Sequence, residues 1–116
     1  MIQHILNELE KAKQSRRLVI VEGKKDKQAL QKLGFEKIFT LNNGKSIKRN
    51  IEIISGMSKK IIILTDFDKQ GRELNKKLRH EFSQIGVRVD NKLRNCLKKQ
   101  ISHIQGLASF LKNHED

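Results

Sequence analysis

The chain has 116 residues, enough for one domain around one hydrophobic core, and 36% of them are hydrophobic. Twenty-five Lys and Arg against thirteen Asp and Glu leave a formal charge of +12, so a polyanion, nucleic acid first, is the expected partner. No apolar run approaches the roughly 20 residues of a membrane span and the opening residues lack a signal-peptide core, so a cytoplasmic protein away from membranes is expected.

A lone cysteine, Cys96, excludes an internal disulfide or a cysteine-based zinc site and reads as a small packing residue. With no Trp, no Tyr and five Phe, contacts to nucleic acid would rest on phosphate rather than on base stacking.

Residues 2–14 place Ile2, Ile5, Leu6, Leu9 and Ala12 on one stripe, which predicts a helix in an N-terminal segment, 1–17, packed on the domain. Residues 18–21 are a continuous apolar run, the mark of a strand buried on both faces, and Glu22-Gly23 closes it. A helix over 26–33 follows, stopped by Gly34, then a short strand at 37–41. Ile47, Ile51 and Ile54 predict a helix over 45–57. Residues 60–64 form the second continuous strand, closed by Asp66-Phe67-Asp68-Lys69-Gln70-Gly71. Leu74, Leu78 and Phe82 predict a helix over 69–83, and residues 86–89 a strand near an edge. From Asp90 onward, Leu93, Leu97, Ile101, Ile104, Leu107 and Leu111 predict a helical extension, 91–116. It reads as two helices with a break near Ser102 or His103, or as one long helix.

This alternation implies an α/β fold: a four-stranded, mostly parallel sheet with helices on both faces and a helical C-terminal tail. Sites in such sheets lie beyond the carboxyl ends of the strands, where the strand order reverses. If the strands at 18–22 and 60–66 are central neighbours, Glu22 and Asp66 meet there. Asp66 and Asp68, two apart in extended chain, would point the same way about 7 Å apart. Converging carboxylates repel, and a hard divalent cation, magnesium or manganese, relieves the conflict. Gly23 and Gly71 would allow close backbone and phosphate approach. The bland alternative is that Asp68 only caps the helix after it and Asp26 only caps its own, since Asp is a favoured N-cap. Glu22 has no such alternative, because Glu is poor both as a cap and in a strand.

Gly44-Lys45-Ser46 mimics the end of a phosphate-binding loop, but the required earlier glycine is Phe39. A turn and helix start, or a phosphate contact there, both remain open. His80 and His103 read as surface or capping residues.

The run from Val19 through Glu22-Gly23-Lys24-Lys25-Asp26, followed by Ile63 through Asp66-Phe67-Asp68-Lys69-Gln70-Gly71-Arg72, resembles the Toprim signature. That domain is shared by type IA and type II topoisomerases, bacterial primases, certain nucleases and a recombination protein. The resemblance covers about residues 18–90 and implies a Rossmann-like sheet, Glu22 as general acid/base, and Asp66 and Asp68 as magnesium ligands, with Glu22 completing the cluster. Together with the loop at 42–46, it is most similar to the ribonuclease M-five type and small stand-alone Toprim proteins; Phe67 stands where several members carry Pro. Lys24, Lys25, Lys45, Lys69 and Arg72 are expected to hold flanking phosphates. Without tyrosine the chain cannot itself act as a topoisomerase, and with one cysteine it lacks a primase's zinc module. A metal-dependent nuclease is therefore expected, on RNA in preference to DNA, acting as a monomer or weak dimer, with or without a protein partner. The alternative is a non-catalytic nucleic-acid-binding module or accessory subunit.

Overall fold

In the computed structural model the chain folds as a parallel sheet between two helical layers. The described residues are 2–114; Met1, Glu115 and Asp116, at the outer ends of the expected segments 1–17 and 91–116, lie outside them. The elements run α1 (Ile2–Ser15), β1 (Leu18–Val21), α2 (Lys24–Lys32), β2 (Ile38–Thr40), α3 (Ile47–Met57), β3 (Lys60–Ile63), α4 (Lys69–Gln84), β4 (Arg88–Val89) and α5 (Lys92–Leu97). A single 3-10 turn (Ile104–Gly106) then leads into α6 (Leu107–Asn113).

The strand order is β2-β1-β3-β4 and every pairing is parallel. Val19 pairs with Ile38 on one side and Ile62 on the other, so β1 and β3 are the central neighbours. The chain winds outward from β1 to β2, then crosses back to β3, which puts the reversal of strand order between β1 and β3.

The apolar runs are continuous because both faces of these strands are covered, and the pleat sorts their residues between two cores. Val19, Val21, Ile62 and Leu64 pack with Ile5, Leu9, Leu30, Leu93, Leu97 and Ile104, under α1, α2 and the tail. Leu18, Ile20, Ile61 and Ile63 pack with Ile51, Ile54, Leu78 and Phe82, under α3 and α4. Full burial of each such side chain stabilises by roughly 1.5–3 kcal/mol. Most of the stripes on α1 and on the tail are therefore spent on the chain's own core, Leu6 of α1 being exposed.

Of the boundaries that differ from expectation, two bear on the site. Helix α2 starts at Lys24, two residues early, because Asp26 accepts a hydrogen bond from the Gly23 amide (3.0 Å) and closes the first turn from within. Asp26 is thus the third helical residue and Gly23 the cap, and Lys24 and Lys25 lie in the first turn rather than in a loop. In the tail, the break is wider than one residue, spanning 98–103 between α5 and the 3-10 turn. No helix among the described residues is long and apolar enough to cross a membrane.

Candidate functional site

Beyond Val21 and Ile63 the two central strands give way to the segments carrying Glu22 and Asp66. The Glu22 side chain accepts a hydrogen bond from the Asp66 amide at 2.7 Å, which locks the two strand ends together. Burial pushes the Glu22 carboxyl above its ordinary value; the Asp66 amide opposes this, and the charges of Asp66, Asp26 and Asp68 add to it. Three carboxylates thus act on a fourth at this edge of the sheet.

Asp68 does two things at once. One oxygen caps α4, accepting from the Gly71 amide at 2.8 Å. The other lies 3.4 Å from Nε2 of His103. The capping reading and the cluster reading are therefore compatible. Ligand atoms of Asp66, Asp68 and His103 all lie within 4.8 Å of one another, a separation that a single cation could span. Glu22 is not part of that set; it stands behind it, on the backbone of Asp66. His103, expected at the surface or in a cap, is exposed but belongs to the cluster.

What brings His103 there is the tail. The Phe67 amide donates to the Ser102 carbonyl (2.8 Å), and the Ile104 amide donates to Oδ1 of Asp66 (2.9 Å). These two bonds clamp residues 102–104 across the acidic loop. Gln105 adds a bond from its side-chain amide to Asp26 (3.3 Å), and Asp26 is itself buried. Asp26 therefore braces the first turn of α2 and the tail.

Arg94 is the second feature invisible in the motifs. It is buried, and its guanidinium donates to the carbonyls of Thr65 (2.7 Å), Asp66 (3.2 Å) and Ile63 (3.4 Å) while lying 4.7 Å from the centre of the Phe67 ring. Burial lowers its pKa to about 10, which still leaves it charged at neutral pH. The only signal in the sequence is its position between Leu93 and Leu97 on an apolar helical stripe.

Gly71 is required by the chain itself: a Cβ there would stand 2.0 Å from the Asp66 carbonyl oxygen. Thr65 fastens the same turn, donating from Oγ1 to the Gly71 carbonyl (2.7 Å). At Gly23 a Cβ would meet only ordinary contacts, 3.7 Å from Asp26 and 3.9 Å from Asn42. Nothing within the protein demands glycine there.

The expected phosphate contacts fall around this edge. Lys24 and Lys25 open α2, Lys69 and Arg72 open α4, and Lys45 lies in the loop after β2, whose Asn42 amide donates to the Glu22 carbonyl (2.9 Å). All five are exposed, and no ion pair among the described residues holds any of them. The 44–46 segment is a turn and helix start: Gly44 has φ +84°, and Ser46 caps α3 by accepting from the Arg49 amide at 3.0 Å.

A family profile described as Toprim domain matches residues 17–105. A UPF0292 protein of Methanosarcina barkeri is 32% identical over 95% of this chain and 80% of its own length. Another, from Methanocaldococcus jannaschii, is 37% identical over 80% of this chain and 77% of its own. A solved protein structure from Aquifex aeolicus superposes with a TM-score of 0.76 at 36% identity, covering 89% of this chain and 94% of that one.

Proposed function

The chain belongs to the Toprim domain family, as do the acidic motifs that close its central strands, and from that membership we propose a magnesium-dependent phosphodiesterase acting on nucleic acid. RNA is the favoured substrate, in the manner of the ribonuclease M-five type, and Glu22 is its general acid/base. The observation that carries the reading is the Glu22 carboxyl, bonded to the Asp66 backbone and pushed upward by burial and its acidic neighbours. A carboxyl so placed exchanges its proton more readily near neutral pH than an ordinary glutamate does.

The donor chemistry fits the metal that the family implies. Asp66 and Asp68 each give one oxygen to a backbone amide, the second Asp68 oxygen faces His103, and hard oxygen donors suit magnesium or manganese. These two residues would hold the ion, with Glu22 beside them; once bound, it would neutralise the phosphodiester's charge and stabilise the charge that develops on it. The chain's own side chains do the rest. Glu22 moves a proton to or from the attacking or departing oxygen. Lys24, Lys25, Lys45, Lys69 and Arg72 hold the flanking phosphates, and the glycine at position 23 leaves room for one to approach. Water is the nucleophile in this reading, and tyrosine, which the sequence lacks, plays no part.

A cleavage assay on ribosomal RNA precursor, other RNAs and DNA, with Mg²⁺ or Mn²⁺, tests this. Glu22→Gln is expected to lower cleavage by at least about a hundredfold, the typical contribution of general acid–base catalysis, with nucleic-acid binding retained. Undiminished cleavage by that variant, or in excess chelator, would overturn the assignment. Salt-sensitive binding with no turnover under either ion would instead identify a non-catalytic module or accessory subunit.

A further inference from the structure

We propose that the cleft between α4 and the end of α5 is the track along which the phosphodiester backbone of a nucleic acid runs as it leaves the carboxylate site. The cleft encloses about 440 Å³ and opens at Phe67 and Arg72, next to the acidic loop. It continues past Arg79 to Lys98 and Lys99, just beyond the last turn of α5, and no carboxylate lines it. A second cleft, about 640 Å³, continues from Arg79 past Lys76 to Arg88 and is also free of carboxylates.

A uniformly basic surface would give no such pattern. The clefts that border α1 each include an acid: Glu36 in one, Glu8 and Asp90 in another, Glu10 in a third. Along α4 the arrangement follows the helical period. Arg72, Lys76 and Arg79 sit at i, i+4 and i+7 and share one face, whereas Glu73 and Glu81 fall on other faces. Arg72 and Arg79 are about 10 Å apart along the helix axis, enough for contacts with more than one phosphate. No ion pair among the described residues occupies Arg72, Lys76, Arg79, Lys98 or Lys99, and all five are exposed.

The floor of the cleft is positive too. Arg94 spends its donors on the Thr65 and Asp66 carbonyls and lines the cleft together with Arg79. Arg72, Arg79, Lys98 and Lys99, exposed along the cleft and in no ion pair among the described residues, are stabilised by an anion that spans them. A nucleic acid fits better than an acidic polypeptide because the track begins at the Asp66–Asp68 pair, where the proposed chemistry needs a phosphate. The direction of the track rests on that proposed function; its test does not.

The full-length protein is titrated, in chelator, with fluorescently labelled 20-nucleotide single-stranded RNA, and with DNA of the same sequence and its duplex, at several salt concentrations. The triple variant R79A/K98A/K99A is compared with K37A/K59A/K60A, which removes the same charge from exposed positions at the opposite ends of the strands. Because all six positions are exposed, matching melting temperatures are expected and confirm folding. The cleft variant is expected to bind at least about tenfold more weakly and to lose about two units of slope in log affinity against log salt, three single-strand phosphate contacts being worth about 0.7 each. The control is expected to change by less than half as much. Equal losses in both triples, no loss in the cleft triple, no binding of any oligonucleotide by the parent, or displacement of RNA by polyglutamate at equal charge would overturn the track. Binding as expected without any cleavage would remove the catalytic reading and leave the track in place.

Discussion

At the scale of single residues, Glu22 is an acid whose burial should show in the pH dependence of stability. Its carboxyl is raised above the ordinary 4.5 by burial first and by Asp66, Asp26 and Asp68 after it. A raised acid binds its proton more tightly in the folded chain than in the unfolded one. Its ionisation therefore costs stability; the cost is absent below about pH 4, grows as pH rises through the folded value, and persists above it. Glu22→Gln keeps an oxygen for the Asp66 amide and removes the charge. In chelator at pH 7 the variant should melt above the parent, with the gap closing as pH is lowered to 4. Thermal melts across that range decide it; equal melting at pH 7 would show that the charge costs the fold nothing. Glu22 was legible in the sequence because a glutamate ending a buried apolar strand has no local purpose. His103 was not legible, because nothing around it in the chain distinguishes it from a surface histidine until Ser102 and Ile104 bond to the acidic loop.

Among the elements, α5 is the one whose role differs most from its appearance. Leu93 and Leu97 mark it as a short amphipathic helix of the tail, and both are buried in the core under α1. Between them Arg94 reaches back across the sheet to the carbonyls of Ile63, Thr65 and Asp66, where β3 has ended and the chain no longer has a strand partner for them. The helix thus supplies donors to the turn that aims Asp66 and Asp68. Arg94→Met keeps the apolar stem and removes those donors. It is expected to lower stability by about 2–4 kcal/mol in urea unfolding, since buried carbonyls left unsatisfied cost about 1–3 kcal/mol apiece. An unchanged midpoint would mean that water replaces the guanidinium at no cost.

For the whole molecule, a cation held by the carboxylates assembled at one edge would link folding to cation binding. An ion that binds only the folded chain stabilises it by about 2.7 kcal/mol at a hundred times its dissociation constant. Mg²⁺ should therefore raise the melting temperature by several degrees, an increase that chelator reverses and that Asp66→Asn or Asp68→Asn removes; an equal rise in those variants would place the ion elsewhere. The sequence by itself determined the parallel sheet and the acidic residues that end two of its strands, while the strand order decided that those two strands are neighbours. The sheet and its acidic ends follow from local rules: continuous β-branched runs need cover on both faces, helical periods between them supply it, and strand ends converge where the order reverses. Only the tertiary structure decided that the tail closes the site, with His103 beside Asp68, the Ile104 amide on Asp66 and Arg94 beneath the acidic turn. Contacts between residues some thirty to forty positions apart depend on where a connecting segment lands after the core has formed, and helical periodicity says which face of a segment is apolar, not which loop its polar groups will meet.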